Sequence, residues 1–239
     1  APPWHDPQPF CHAQRLAGIG TLTASVAHAE PIAAWTFETV PPPSVVDTAV
    51  YPNPLNPDVG TGTGTAVHAS PASDWTTFLG NGSFEAFSSI VWSINDYYGF
   101  RTSTLGYENI ELTWDQTRNA EGPAAFRLVA STDGVNFVTI QDYVVLLNDS
   151  ANGGAWDENV VRPAYRYGPI ALGAAYTNKA NVYVRLVSLA ASSTVTGAVR
   201  VDNFGFEGDP LPPVIEVLKT DDGASPPVEP GDLFAYEIL

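Results

Sequence analysis

The sequence is short of cations and of cysteine, and both shortages restrict what the chain can do. Lysine and arginine together number 10 against 26 aspartate and glutamate residues, which gives a formal net charge of -16. A surface of this sign repels phosphate, which argues against nucleic acid and anionic membranes as partners. It suits an extracellular protein that meets divalent cations, and it equally suits simple solubility. The single cysteine, Cys11, excludes an intramolecular disulfide; it can pair between chains or lie buried and unreactive.

Long apolar runs are also missing. No run of about 18 or more apolar residues occurs, so no membrane-spanning helix is predicted. Hydrophobic residues nevertheless make up 44% of the 239 residues, and aromatic residues make up 11%. This composition is not typical of a disordered chain, and it is sufficient for one large domain with a sizeable core.

Catalytic motifs are scarce as well. Three of the four histidines, His5, His12 and His28, lie near the N-terminus, and His68 lies in a stretch rich in glycine and threonine. This distribution indicates no Ser-His-Asp constellation. The sequence contains no HExxH, no CxxC and no phosphate-binding loop, since no lysine follows the GTGTGT run. We therefore expect a protein that is not an enzyme.

The sequence does contain many short segments in which apolar and polar residues alternate. Within residues 107–137 this pattern occurs twice, around Trp114 and around Leu128, and it predicts half-buried strands with Trp114 in the core. Asp133-Gly134 predicts a turn into a third strand, because glycine can adopt a positive φ. We expect these three strands to be adjacent antiparallel neighbours.

Further strands are predicted on both sides of this stretch. The first is the WTFE string at residues 35–38, and the others are at residues 83–93, 97–101, 138–147, 182–189 and 198–206. Residues 41–74 are rich in proline, glycine and threonine, so we expect a long surface loop there, because proline cannot donate to a β-ladder. Short strands separated by turn clusters, with hardly any helical period, indicate an all-β sandwich.

Four short strings, taken in order, resemble the jelly-roll module of secreted bacterial multidomain proteins. They are WTFE at 35–38, Gly122-Pro123, STDG at 131–134 and RVDNF at 200–204, and the similarity extends over residues 35–208. Members of that family are usually non-catalytic accessory or surface domains. The resemblance therefore implies an all-β, jelly-roll β-sandwich that is exported from a bacterial cell.

The same resemblance implies a structural Ca²⁺ site. In such modules an acidic residue of the first strand and an aspartate of the last lie side by side, and the matching residues are Glu38 and Asp202. A hard cation prefers several oxygen ligands, and two carboxylates on neighbouring strands repel each other without one. The alternatives are that both are ordinary solvated strand residues, or that Arg200 neutralises one of them.

Aromatic residues provide candidates for a carbohydrate-binding surface, because aromatic faces pack against pyranose rings. The candidates are Trp75, Trp92, Tyr97, Tyr98, Trp156, Tyr165 and Tyr167. The alternative is that most of them are core residues, as aromatic residues of β-sandwiches usually are.

Residues 1–34 precede the predicted jelly roll and have two interpretations. They resemble a secretory signal, with Ala27-His28-Ala29 as the cleavage site. Alternatively, residues 21–26 form a short strand in an N-terminal arm that pairs with the edge of another subunit. Both interpretations imply export.

The C-terminal part of the chain resembles a second module. After a predicted linker at residues 209–213 come Lys219-Thr220, Pro230-Gly231-Asp232 and Ala235-Tyr236. With these strings, residues 214–239 resemble the first strands of a conserved Ig-like repeat domain of bacterial surface proteins. Two strands cannot close an Ig-like sandwich. We therefore expect a module that is either truncated or completed by a neighbouring molecule.

Taken together, the predictions favour a secreted structural or adhesive protein of the bacterial cell surface. Strand exchange through the arm and the incomplete module would assemble it into filaments or sheets, with itself or other surface proteins as partners. The alternative is a carbohydrate-binding accessory module of a larger secreted enzyme, with glycans as its partners.

Overall fold

The computed structural model describes residues 29–212, which form two antiparallel β-sheets packed face to face. The strands within these residues are β1 Glu30–Trp35, β2 Val59–Gly60, β3 Gly62–Val67, β4 Trp75–Phe78, β5 Ala86–Ile90, β6 Tyr97–Thr102, β7 Tyr107–Arg118, β8 Ala125–Ser131, β9 Val138–Val144, β10 Arg166–Ala171, β11 Val182–Ser188 and β12 Ala198–Pro210. The connections contain three single-turn 3₁₀ helices, Ser150–Asn152, Pro163–Tyr165 and Ala174–Tyr176. The predicted all-β sandwich is confirmed.

The strand order is that of a jelly roll with additional strands. Sheet A has the order β10-β7-β12-β1-β2, and β5 with β4 pairs beside the first part of β12; sheet B has the order β3-β6-β11-β8-β9. The first strand, β1, pairs with the last, β12, in sheet A, and β6 pairs with both β3 and β11 in sheet B. Two packed antiparallel sheets with the first strand beside the last are typical of a jelly roll.

The chain crosses from one sheet to the other after β7. The prediction that the three strands of residues 107–137 are neighbours is confirmed for β8 and β9, which pair, and is wrong for β7, which lies between β10 and β12 in sheet A. Trp114 of β7 packs across the core against Tyr143 of β9, with ring centroids 5.3 Å apart. An alternating pattern identifies the buried face of a strand, and it does not identify the sheet to which that strand belongs.

The prediction of an unpaired surface loop over residues 41–74 is wrong for its second half. This half contains β3, which pairs with β6 along its whole length. A Cβ on Gly62 would lie 2.9 Å from the indole of Trp35, and a Cβ on Gly64 would lie 2.7 Å from the Cβ of Leu55. Gly62 and Gly64 therefore leave room for these two side chains, while the threonines of the GTGTGT run face the solvent.

The first strand begins and ends earlier than predicted. It starts within the predicted N-terminal arm and ends at Trp35, because Phe37 has a φ of 61° and leaves the extended conformation. The Asp58 carboxylate accepts hydrogen bonds from the backbone N–H groups of Thr36 (2.8 Å) and Phe37 (2.9 Å), which holds this bend. At the other end of the domain, β12 continues to Pro210, inside the predicted linker.

Aromatic rings fill the space between the two sheets. Phe100 of sheet B stacks on Phe204 of sheet A, with ring centroids 3.8 Å apart, and Trp35 packs against both rings. Trp114 is fully buried, as predicted. Burial of a large apolar side chain stabilises a fold by about 1.5–3 kcal/mol, so these rings contribute strongly to holding the sheets together.

A second hydrophobic cluster lies on the outer face of sheet A. The segment between β9 and β10 crosses this face and packs Trp156 and Tyr165 against Ala86 of β5. The Tyr165 hydroxyl donates a hydrogen bond to the carbonyl oxygen of Gly154 at 3.0 Å, which holds the segment in a closed loop. Part of the outer face of sheet A is therefore shielded from water.

Several predictions concern parts of the chain outside the described residues. These are residues 1–28 of the predicted signal-like segment or arm (1–34), which include Cys11, His5, His12 and His28, and the Ig-like strands at 214–239. Within residues 29–212, no helix has the length and apolar character needed to cross a membrane.

Candidate functional sites

Two buried aspartates face each other on the outer side of sheet A. Asp202 of β12 lies in register with Asp115 of β7, and their exposed fractions are 0% and 1%. Like charges directly opposite each other on neighbouring strands are destabilising. Burial raises the pKa of both carboxyls, to about 7 for Asp202. Neither carboxylate forms an ion pair within residues 29–212.

The loop between β4 and β5 surrounds Asp202 with polar groups. Oδ2 of Asp202 accepts hydrogen bonds from the backbone N–H of Asn81 at 2.9 Å and from the hydroxyl of Ser83 at 2.7 Å. Gly80 permits this close approach, because a Cβ there would overlap Oδ2 of Asp202 and Oγ of Ser83, and would lie 2.6 Å from the carbonyl oxygen of Glu85. Three oxygens therefore converge on the space that this glycine leaves open.

Asp115 has one carboxylate oxygen without a partner. Its Oδ2 accepts a hydrogen bond from the side-chain amide of Asn203 at 2.9 Å, whereas Oδ1 is buried and has no donor in the described part of the chain. A buried acceptor without a donor destabilises a fold by about 1–3 kcal/mol. Burial raises the pKa of Asp115, and the charge of Arg166 offsets only part of this rise, because Arg166 forms no ion pair with Asp115 among residues 29–212.

Glu38 contacts the same loop at a different point. Its exposed carboxylate accepts a hydrogen bond from the backbone N–H of Glu85 at 2.7 Å. The structure thus brings Glu38 and Asp202 to one loop without a hydrogen bond between them, and the carboxylate that lies opposite Asp202 is that of Asp115.

Asp115 is not predicted as a site residue, because it lies in phase with Glu111 and Thr113 on the face of β7 that alternation predicts to be solvated. Residues 29–212 contain no group of three or more His, Cys, Asp or Glu side chains placed to hold a metal. A cation at the aspartate pair would therefore also need hydroxyl and backbone oxygens as ligands.

Arg200 does not pair with either predicted metal ligand. Its Nη1 donates a hydrogen bond to the carbonyl oxygen of Leu79 at 3.3 Å, and its guanidinium carbon lies 4.9 Å from the ring centroid of Phe78. It lines a surface cavity of about 470 Å³ beside the segment that crosses sheet A. No ion pair joins Arg200 to Glu38 or Asp202 in the structure of residues 29–212.

Most of the aromatic candidates for glycan binding lie in the interior. Five of them are at most 4% exposed, namely Trp75, Trp92, Tyr98, Trp156 and Tyr165. Their rings pack within the two hydrophobic clusters and are not accessible to a ligand. Tyr167 stacks on Trp114, and its hydroxyl donates a hydrogen bond to the carbonyl oxygen of Val144. One face of its ring is therefore already covered by protein. Of the seven, Tyr97 alone lies on the open outer face of sheet B.

A shallow groove of about 240 Å³ crosses this outer face. Gly99 of β6 forms its floor, between Thr65 of β3 and Arg185 of β11, which are its partners on the two neighbouring strands. The residues that line the groove include Arg101 and Arg185 and no carboxylate. On a chain with a net charge of -16, this is a local region of positive charge.

Aromatic rings flank the two arginines of the groove. The guanidinium carbon of Arg185 lies 4.2 Å from the ring centroid of Tyr97 and 3.9 Å from that of Phe137. The guanidinium carbon of Arg101 lies 5.6 Å from the ring centroid of Tyr183. Each cation-π contact contributes about 0.5–1 kcal/mol at an exposed site. The arginines are therefore held in place on the sheet surface.

A serine, a histidine and an aspartate do meet in the core, although the sequence predicts no such group. Nε2 of His68 lies 3.4 Å from Oγ of Ser89, and Nδ1 lies 3.8 Å from Oδ2 of Asp96. All three residues are at most 3% exposed, and burial lowers the pKa of His68 to about 3. The imidazole packs between Trp75 and Trp92, so a substrate has no access to it.

No family model matches the chain, and no curated protein matches it. Among solved structures, it is similar to the K1 cleaved adhesin domain of Lys-gingipain from Porphyromonas gingivalis W83, with 11% identity, coverage of 70% of this chain and 98% of that chain, and a TM-score of 0.37. It is similar to a non-crystalline cellulose specific carbohydrate-binding module, CBM28, with 19% identity, coverage of 56% and 80%, and a TM-score of 0.35. It is also similar to TmCBM61 in complex with β-1,4-galactotriose, with 11% identity, coverage of 73% and 92%, and a TM-score of 0.33. At these low scores the similarity carries no information on function, and the fold assignment rests on the strand order.

Proposed function

We propose that residues 29–212 form a non-catalytic adhesive module of an extracellular protein, and that the module binds glycans through the outer face of sheet B. The observation that supports this proposal is the groove over Gly99. The missing side chain at this position opens a depression between Thr65 and Arg185 on a face where every neighbouring strand position carries a side chain.

The size and continuity of the groove favour an extended ligand. Its volume of about 240 Å³ is below the roughly 300–1,000 Å³ typical of pockets that enclose a whole drug-sized ligand. A second cavity of about 240 Å³ shares Thr63 and Arg101 with it and continues towards Asn181. Two adjoining shallow subsites suit consecutive units of a linear chain.

The chemistry of the lining favours a ligand rich in hydroxyl groups. Thr63 and Thr65 are exposed at one side of the groove, and a hydroxyl both donates and accepts hydrogen bonds. Tyr183 on the other side offers a further hydroxyl. Sugars present hydroxyl groups in similar density, so an oligosaccharide complements this lining.

Two features support binding without catalysis. Glycoside hydrolysis generally uses a pair of carboxyl groups beside the bound sugar, and the groove lining has none. His68, which lies within hydrogen-bonding distance of Ser89, is sealed in the core and neutral.

A glycan array probed with the 239-residue chain tests the proposal. Thr65→Trp places an indole over the groove floor, because the Thr65 methyl already lies beside the position of a Cβ on Gly99. Val195→Trp is the control, since Val195 is 69% exposed in a loop outside the groove. We expect Thr65→Trp to weaken binding by about tenfold or more, or about 1.4 kcal/mol, and Val195→Trp to leave it unchanged. An array without hits, or equal binding by both variants, would refute the proposal.

Assembly into filaments or sheets stays a prediction. It depends on the N-terminal arm and the Ig-like strands, which lie outside residues 29–212. Negative-stain microscopy of the natively purified protein, with and without a calcium chelator, tests it. Regular filaments or sheets would support a structural subunit, and dispersed single particles in both conditions would contradict it.

We further propose that the pocket around Asp202 binds a structural Ca²⁺ ion. The residues fit such an ion: Asp202 and Asp115 offer carboxylate oxygens, one of them without a partner, and Ser83 and Glu85 offer a hydroxyl and a carbonyl oxygen at the space beside Gly80. The ion would supply a positive charge in direct contact with the buried pair, which has no ion-pair partner within residues 29–212.

Melting temperatures at pH 7.5 with and without millimolar Ca²⁺ test this site. We expect Ca²⁺ to raise the melting temperature of the unmodified protein and to leave that of Asp202→Asn unchanged. Asp142→Asn is the control, because Asp142 is an exposed aspartate paired with Arg127 on the opposite sheet. Glu38→Gln shows whether Glu38 contributes to the site. An equal rise in Asp202→Asn would exclude the proposed ligand.

A further inference from the structure

We propose that the ligand of the groove on sheet B is an acidic oligosaccharide, and that Arg185 and Arg101 bind the carboxylate groups of its uronic acid units. The inference rests on the proposed glycan-binding function and adds the class of sugar.

The aromatic rings of this face are already in contact with protein groups. Tyr97 and Phe137 both have the guanidinium of Arg185 against one face. Tyr183 has the turn after β8 beside it, since a Cβ on Gly134 would lie 3.1 Å from its Cζ. Neutral sugars are commonly bound by stacking on open aromatic faces. Here the rings hold the arginines in position, so the guanidinium groups are the parts left to meet a ligand.

The two guanidinium groups have donors that the protein does not use. The Arg185 side chain makes no hydrogen bond or ion pair within residues 29–212, and Arg101 uses only Nε, which donates to Oδ1 of Asn181 at 3.0 Å. A guanidinium carries five N–H donors in a planar fork that matches the two oxygens of a carboxylate. Both arginines are therefore available for bidentate binding of an external carboxylate.

The acidic side chains near the groove already have partners. Asp142 forms a bidentate ion pair with Arg127, the third arginine of this face, at 2.6 and 2.8 Å. Asp133 accepts hydrogen bonds from the backbone N–H groups of Val135 and Asn136 within its own turn. Neither carboxylate neutralises the groove. An external anion is therefore the complement of its charge.

The positions of the two arginines fit a linear acidic chain. Arg185 of β11 lies opposite Gly99 of β6, and Arg101 follows Gly99 by two residues on β6. Arg185 and Arg101 are therefore diagonal neighbours on adjacent strands, with backbone positions about 7–8 Å apart. Thr63 extends the lining in the same direction into the second cavity. One oligosaccharide with several carboxylates can therefore contact both arginines and still place hydroxyl groups on the threonines.

Calorimetric titration of the 239-residue chain with paired probes tests this inference. The probes are hexasaccharides of galacturonate, alginate and hyaluronan, each beside its methyl-esterified form, which has the same sugars without the charge. We expect at least one acid form to bind about tenfold or more tightly than its ester, with an affinity that falls as salt increases.

Equal binding of acid and ester, or hits on neutral glycans alone, would overturn the acidic class and leave the proposed glycan function standing. The absence of binding to any glycan, acidic or neutral, would overturn both. Binding of poly-glutamate as tightly as of the acidic sugars would overturn the inference in favour of an acidic polypeptide.

Arginine variants identify the groups that recognise the charge. Arg185→Gln should weaken binding of the acid form by about tenfold and reduce the difference between acid and ester, and Arg185→Lys should lose less because it keeps the charge. Arg127→Gln is the control, since it removes one positive charge from the same face outside the groove. If Arg185→Gln does not fold, Arg101→Gln provides the same comparison. Equal losses in Arg127→Gln and the groove variants would mean diffuse attraction and would overturn the site.

Discussion

Replacement of Asp202 by asparagine tests the description of the buried aspartate pair. Burial, with a smaller contribution from the charge of Asp115, raises the pKa of Asp202 to about 7 in the folded chain. The pKa of an aspartate in an unfolded chain is about 3.9. A difference of about 3 pKa units corresponds to roughly 4 kcal/mol of unfolding free energy in metal-free protein.

The sign of the effect follows from which state holds the proton. Below about pH 4 the carboxyl is protonated in both states. Between about pH 4 and pH 7 the folded state keeps a proton that the unfolded state has released, so the unfolding free energy falls as pH rises. Above this range the loss is complete. Asp202→Asn has no carboxyl at this position, so its unfolding free energy should not show this fall. Between about pH 4 and pH 7, its unfolding free energy relative to that of the unmodified protein should therefore rise by up to about 4 kcal/mol, or roughly 8–16 °C in melting temperature.

Urea denaturation of both proteins in metal-free buffers from pH 4 to pH 8 measures the effect. Asp142→Asn is the control, because a hydrogen bond from Arg127 lowers the pKa of Asp142. The contribution of Asp142 to the unfolding free energy has the opposite pH dependence: it is present at neutral pH and is lost as pH falls. Parallel pH profiles for the unmodified protein and Asp202→Asn would refute the reasoning, since they would mean that Asp202 has an ordinary pKa.

Three further predictions concern the core, a crowded glycine of β2 and a buried histidine. Trp114→Ala should lower the unfolding free energy by about 3–5 kcal/mol in urea, because the indole is fully buried; a loss below about 1 kcal/mol would contradict this. Gly60→Ala should lower the melting temperature more than Gly153→Ala. The backbone φ is positive at both positions, but only a Cβ on Gly60 would overlap the carbonyl oxygen of Ile32. Equal losses in melting temperature would show that this steric overlap is unimportant. The His68 ring proton signals should not titrate between pH 5 and pH 8 in NMR spectra, because burial lowers its pKa to about 3, and a shift across that range would disprove its sealed position.

Local features of the fold are readable from the sequence. The turn at Asp133-Gly134 forms, with Gly134 at a φ of 74°, and it joins β8 to β9 as predicted. Trp114 is buried as its alternation with polar residues predicts. These features depend on the chirality of the backbone and on the two-residue period of a strand, so a few neighbouring residues are sufficient to specify them.

The candidate sites are less predictable because each depends on residues far apart in the chain. Glu38 and Asp202 both contact the loop between β4 and β5, yet the partner that lies opposite Asp202 is Asp115, whose place in the alternating pattern predicts a solvated residue. Trp156 and Tyr165 are candidates for glycan binding in the sequence because they are aromatic, but both are buried in the separate hydrophobic cluster on the outer face of sheet A.

The amino-acid composition establishes that this chain is acidic and has few cations, and the alternation of apolar and polar residues predicts short strands around aromatic residues. Only the pairing of β6 with β11 places Arg101 and Arg185 on one open face, and only the pairing of β7 with β12 buries two aspartates side by side. A strand's own residues specify which of its faces is buried. The neighbour to which it bonds depends on packing across the whole core, and that packing decides which polar groups meet.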